Sequence, residues 1–233
     1  TGLSPLIDKI IEIGAIKITS NSIQSFSSLI NPEKLMPKNI IDIHGITNEM
    51  VSEEPTENEI LPQFLAFIED LPLVAHNAKF DIGFLIASML RIHKPFGQNK
   101  IYCTCKLSRS YVKNSENHRL NTLAKLYNIP LENHHRALDD ALACTYILNN
   151  ILNINKSQKR FENSALISTL DKYKAITSLE LPQNLQILAK KVVNKELVEI
   201  KYSGGNHKNE FRQIVPTSLL PLPTGNALYA LCL

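Results

Sequence analysis

A chain of 233 residues, 44% hydrophobic and 20% charged with only 8 Gly and 12 Pro, can bury a real core, and its composition excludes collagen-like, disordered and low-complexity classes. The net charge of +3 is too small to argue for a polyanionic partner, but residues 1–155 hold 14 Lys and Arg against 16 Asp and Glu, while residues 156–233 hold 11 against 6, so the positive excess lies in the tail. No run approaches the roughly 18 apolar residues of a membrane span, no signal pattern opens the chain, and four cysteines are too sparse for a disulfide scaffold, which predicts a cytoplasmic protein with reduced thiols and no membrane partner.

In chain order, the β-branched stretch Ile10, Ile11, Ile13, Ile16 and Ile18 is followed by Ser20-Asn21-Ser22 and then by Ile23, Phe26, Leu29 and Ile30, which predicts a two-stranded hairpin. Leu61, Phe64, Leu65 and Ile68 recur at helical spacing after an acidic segment. Residues 71–75 form a short buried strand, and Asn77 is placed to start the helix carrying Ile82, Leu85, Ile86 and Met89. Two further helices follow, around Leu120–Tyr127 and from Leu138 to Leu152. Strands alternating with helices give an α/β class.

The periodicity breaks over residues 155–164, which contain Lys156, Lys159 and Arg160, and this sets the expected division into domains 1–155 and 156–233. Beyond it, helices are expected at 165–176 and 185–193. Strands are expected at 197–202, 211–215 and 227–233, separated by turns at 203–206 and 223–226, which make a small β-rich module.

Two stretches carry chemistry. His76-Asn77-Ala78-Lys79-Phe80-Asp81 places a carboxylate in the first turn of a helix just after a strand, where a lone Asp usually only complements the helix dipole. His134-His135-Arg136-Ala137-Leu138-Asp139-Asp140 puts histidines and carboxylates at the start of another helix. His135 and Asp140 can face one centre only if His135 precedes the helix, and Asp139 then points elsewhere. Carboxylates at separate helix starts with a loop histidine suit hydrolysis of a phosphodiester by water held on Mg²⁺ or Mn²⁺, but a two-ion site needs more anionic ligands than Asp81 and Asp140 offer. Cys103-x-Cys105 has no nearby pair to complete a zinc site, and His134 is expected to face solvent or a local partner.

Residues 1–152 resemble the DEDDh 3′-to-5′ exonucleases, similar to the proofreading epsilon subunit of DNA polymerase III, on a ribonuclease H-like fold with a mixed sheet. Five segments carry the resemblance in family order: Thr1-Gly2-Leu3 with the strand Ile10-Ile11-Glu12-Ile13-Gly14-Ala15, then His44-Gly45-Ile46-Thr47, His76 to Asp81, His118-Arg119-Leu120-Asn121, and His135 to Asp140. The resemblance implies that Asp81 and Asp140 are metal ligands and His135 the general base, and that Gly2, Leu3, His44, Asn77 and Phe84 line the pocket for the terminal nucleotide. It implies Mg²⁺ or Mn²⁺ as cofactor and single-stranded nucleic acid or 3′ ends as partner, DNA ahead of RNA, with a DNA polymerase as a further partner. The family's first motif also supplies an Asp and a Glu that would precede Thr1. They are expected upstream, and the rival reading is a disarmed nucleic-acid-binding or polymerase-associated module. Without those acids, divalent ions are expected to bind weakly.

The tail resembles a WYL domain, a small SH3-like β-rich module, through Val198-Glu199-Ile200-Lys201-Tyr202, Arg212-Gln213-Ile214-Val215-Pro216 and Leu228-Tyr229-Ala230-Leu231. In this reading Arg212 meets a phosphate and Tyr202 stacks on a base, while a packed barrel in which both are structural stands equally open. Removing residues 165–233 is then expected to weaken binding to long strands while sparing cleavage of short ones.

Overall fold

A computed structural model describes residues 1–131, 136–154, 165–174, 176, 179, 183–202, 210–223 and 225–233, with residues 154, 184 and 202 described in backbone only. His134, His135, the 155–164 segment, the 203–206 turn and the Tyr202 side chain therefore lie outside the described residues.

The hairpin forms as its β-branched runs predict: β1 (Glu12–Ile18) pairs antiparallel with β2 (Ile23–Leu29), in register from Glu12 opposite Leu29 to Ile18 opposite Ile23. The Thr19 hydroxyl closes the turn by accepting the Ser22 N–H at 3.1 Å. Two short helices follow, α1 (Lys38–His44) and α2 (Asn48–Ser52), and then α3 (Glu57–Ile68). The entry to α3 is a reciprocal cap: Glu59 accepts the Thr56 backbone N–H at 2.8 Å while Thr56 caps the third residue of the helix.

A second sheet is mixed. β3 (Leu73–Ala75) runs parallel to β4 (Lys100–Cys103), with α4 (Lys79–Arg91) as the crossover between them. β5 (Leu166–Thr169) then adds antiparallel to β4 and leads into a 3₁₀ turn at Leu170–Tyr173. A helix was expected over 165–176. The strand forms because Leu166-Ile167-Ser168-Thr169 suits a pleated surface and the free edge of β4 is there to pair with. β4 and the helix after it, α5 (Thr104–Tyr111), went unread because a short buried strand leaves no alternation in the sequence. α6 (Leu120–Leu126) and α7 (Ala137–Ile154) complete this part.

Isoleucine and leucine side chains of β1, α3, α4 and β4 meet in one core, with Leu61 and Ile86 fully buried and Tyr173 closing it from the 3₁₀ turn. Within it, Arg91 of α4 pairs with Glu57 of α3 at 2.9 Å, their side chains 19% and 7% exposed, and Ser88 donates to the same carboxylate. This tie fixes α4 against α3. The hairpin and the mixed sheet remain separate: among the described residues no strand joins β1 to β3, and each ends its sheet with an unpaired edge.

The tail is β-rich as expected. After α8 (Gln183–Asn194), the strands β6 (Val198–Tyr202), β7 (Glu210–Leu222) and β8 (Gly225–Cys232) form an antiparallel sheet in that order. β7 is far longer than the 211–215 expected, because its second half, with Leu219 and Leu220 buried, packs against the body of the protein and not only within its own sheet. Among the described residues no helix is long and apolar enough to cross a membrane.

Candidate active site

The backbone at Asn77 sets the position of Asp81. Asn77 has φ +62°, a left-handed conformation that asparagine tolerates better than most residues, and it swings the chain from β3 directly into α4. Asn77 does not cap the helix with its side chain as expected. Ala78 occupies the cap position, fully buried, and the Asn77 side chain is exposed.

His76 secures that turn from behind. Its Nδ1 lies 2.9 Å from the Thr104 hydroxyl and its Nε2 2.8 Å from the His118 carbonyl. A carbonyl only accepts, so Nε2 carries the proton and Nδ1 accepts from Thr104. Burial holds the imidazole below its usual pKa, chiefly by loss of hydration, with the His118 bond and the Asp140 charge working the other way. The neutral ring thus straps β3, α5 and the loop before α6 together, and two of the sequence landmarks, at His76 and His118, meet through it.

Asp81 stands in the first turn of α4 and Asp140 in the first turn of α7. Asp81 keeps an exposed surface, yet the protein atoms crowding its carboxyl push its pKa up to about 7; its own backbone N–H opposes the shift and the negative charge of Asp140 adds to it. Two carboxylates within each other's field, one resisting ionisation, form a site that a cation would relieve. The Asp139 charge acts on Arg136.

The start of α7 is fixed by two residues of β1 that the sequence reading did not single out. Glu12, its side chain 7% exposed, accepts the Ala137 backbone N–H at 2.9 Å and pairs with the Arg136 guanidinium at 2.9 Å, so one strand carboxylate caps the helix that carries Asp140. Gly14 lies directly under the same turn: a Cβ there would overlap the backbone of Ala137 and Leu138. The signal for Glu12 was present as a lone acid interrupting an apolar strand. Glu12→Gln keeps the shape and removes the charge, so it should cost about 1 kcal/mol in equilibrium denaturation; an unchanged stability would mean that the carboxylate does not hold the helix.

Of the expected pocket residues, Leu3 is half-exposed, and Gly2 sits so close to the Asp8 carboxylate that any side chain would collide with it. Phe84 is 8% exposed on α4, its ring edge-on to Phe80 with ring centres 5.1 Å apart. His44 ends α1 with its Nδ1 accepting the Ile46 N–H at 3.0 Å. Arg212 is half-buried on β7 opposite Ile200.

All four cysteines are free thiols; burial pushes the Cys144 thiol up to about 12, and Cys105 donates to the His118 carbonyl. Among the described residues no three His, Cys, Asp or Glu side chains converge as a metal-binding group. The oxygen donors of Asp81 and Asp140 are of the type that suits a hard divalent cation.

Comparison with known proteins gives the frame for these residues. The chain is 42% identical over 149 residues to the PolC-type DNA polymerase III of Clostridium perfringens, a match covering 64% of this chain and 10% of that protein. It is 34% identical over 229 residues to the PolC-type DNA polymerase III of Bacillus cereus, covering 94% of this chain and 15% of the relative. It therefore spans about a tenth to a seventh of these relatives' length. In fold it is similar to Escherichia coli exonuclease I, solved in its zinc-bound form with single-stranded DNA, at 16% identity and a TM-score of 0.62, over 92% of this chain and 49% of that one. The profile of the RNase_T exonuclease family matches residues 1–148, which include the strand that caps α7 and both acidic helix starts, and the chain belongs to that family.

Proposed function

We propose that the chain is the nuclease part of a divalent-metal-dependent 3′-to-5′ exonuclease that removes nucleoside monophosphates from DNA. The observation that carries this reading is the pair Asp81 and Asp140, held in one field by two helix starts that His76, Glu12 and Gly14 keep in place. The matched PolC-type polymerases support DNA over RNA, and a polymerase as partner.

Asp81 and Asp140 hold the ion, Mg²⁺ or Mn²⁺, which when bound neutralises charge on the scissile phosphate and acidifies water. His135 takes the proton from the attacking water. Gly2 and Leu3 in the N-terminal loop, with His44, Asn77 and Phe84, place the terminal nucleotide for in-line attack. Further anionic ligands belong on a strand between the unpaired edges of β1 and β3, where an Asp-x-Glu segment would complete the sheet and the metal cage together. In this reading residues 1–155 form the nuclease domain. Residues 156–233 form the accessory one, with Arg212 and Tyr202 as its contacts to nucleic acid.

The test is an end-labelled assay on the chain joined to an Asp-x-Glu strand ahead of Thr1. With Mg²⁺ or Mn²⁺, a 5′-labelled single strand should shorten stepwise while a 3′-labelled one releases its label at once as mononucleotide. A disarmed binding module would retain the DNA without shortening it, and release from the 5′ end would overturn the polarity.

A further inference from the structure

The C-terminal sheet is built into the N-terminal loop. Ser4, 1% exposed, donates from its hydroxyl to the Leu219 carbonyl at 3.1 Å and accepts the Leu219 N–H at 2.8 Å, so a side chain stands in for a strand partner of β7. One residue on each side, the Ser218 hydroxyl donates to the Leu3 carbonyl at 2.6 Å. Residues 3–4 and 218–219 are thus fastened from both directions across the full length of the chain.

The same loop is gripped by α4. Gly83 sits where loop, helix and strand converge: a Cβ there would stand 3.1 Å from Pro5 and 3.2 Å from Leu220. Arg91 reaches the Pro5 and Asp8 carbonyls at 3.4 Å each, and the Asp8 carboxylate closes the loop on itself by accepting the Ser4 N–H at 3.0 Å. Leu3, 50% exposed, is therefore held outward from a buried anchor.

We propose that β7 is a wall support of the nucleotide pocket, with Ser4 and Ser218 as positioning residues that hold Gly2 and Leu3 against α4. This rests on the reading that Gly2, Leu3 and Phe84 contact the terminal nucleotide. It replaces the expectation of a detachable tail, because removing β7 would free the loop that the pocket needs even for a short substrate. Loss of the fastening lets the loop sample other positions, and apparent affinity falls by the fraction of molecules in which it remains placed.

The test follows 2′-deoxyadenosine 5′-monophosphate binding to the full chain with Mg²⁺ by NMR titration, together with thermal unfolding. Ser4→Ala and Ser218→Ala should each raise the dissociation constant by about fivefold or more and weaken the response of the Leu3 methyl signals to nucleotide. Thr19→Ala, which loosens only the distant hairpin turn, should leave both unchanged. Ser218→Ala removes a single hydrogen bond and decides the matter if Ser4→Ala does not fold. Unaltered nucleotide affinity in the folded serine variants overturns the proposal alone, since the pocket would then work without the fastening. Absence of nucleotide binding by the unmodified chain overturns the pocket reading, and this proposal with it.

Discussion

Asp140→Asn should lower the rate of mononucleotide release by about 10²–10³-fold in the chain joined to an Asp-x-Glu strand, because the substitution keeps the shape of the helix start but removes one of the two anionic oxygens groups that would hold the ion against the scissile phosphate. Metal affinity should fall with the rate. The neighbouring Asp139→Asn provides the contrast: its charge acts on Arg136 and not on Asp81, so activity should change little. Equal losses in the two variants, measured as initial rates with saturating DNA over a Mg²⁺ series, would show that the assignment of Asp140 is wrong.

Gly14→Val should be the most disruptive single change in β1. The new side chain would occupy the backbone of Ala137 and Leu138, and backbone cannot swing aside as the end of a flexible side chain can. The start of α7 must lift, breaking the Glu12 bond to the Ala137 N–H and carrying Asp140 away from Asp81. A cost of about 3 kcal/mol is expected, at the upper end for overpacking because a cap is lost as well. Urea denaturation gives the stability. Any variant that remains folded should show weaker metal binding, while Gly45→Ala, at an open turn with φ +72°, should destabilise without touching the metal. Full stability and full activity in Gly14→Val would mean that α7 does not rest on β1.

The features legible in the sequence were those with a local physical signature. The β-branched runs of 10–18 and 23–30 and the 3.6-residue periodicity of α3, α4 and α7 each fixed an element within a few residues. The positions of Asp81 and Asp140 at helix starts were equally readable. What escaped depended on partners distant in the chain. β5 is a strand because β4 offers it an edge, and Leu166–Thr169 taken alone does not settle the choice. The second half of β7 is long because Ser4, Pro5 and α4 lie against it, more than 120 residues away in sequence. Glu12 and Gly14 looked like ordinary strand residues until α7 was laid over them. Asn77 was expected to start α4 as its cap, whereas it turns the chain through a left-handed backbone that no pattern of side chains displays.

The central claim is that Asp81 and Asp140 form one anionic site that seeks a cation, and the carboxyl titration of Asp81, followed by ¹³C NMR, tests it most directly. Without divalent ions its midpoint should lie near 7, pushed up first by the surrounding protein and then by Asp140. Asp140→Asn should lower it, because a negative neighbour no longer opposes ionisation. Mg²⁺ should lower it as well, since a cation favours the ionised form, so binding releases a proton and affinity declines as pH falls through about 7. A midpoint in the ordinary carboxylate range, unmoved by Asp140→Asn and by Mg²⁺, would contradict the shared site and with it the nuclease reading of this chain.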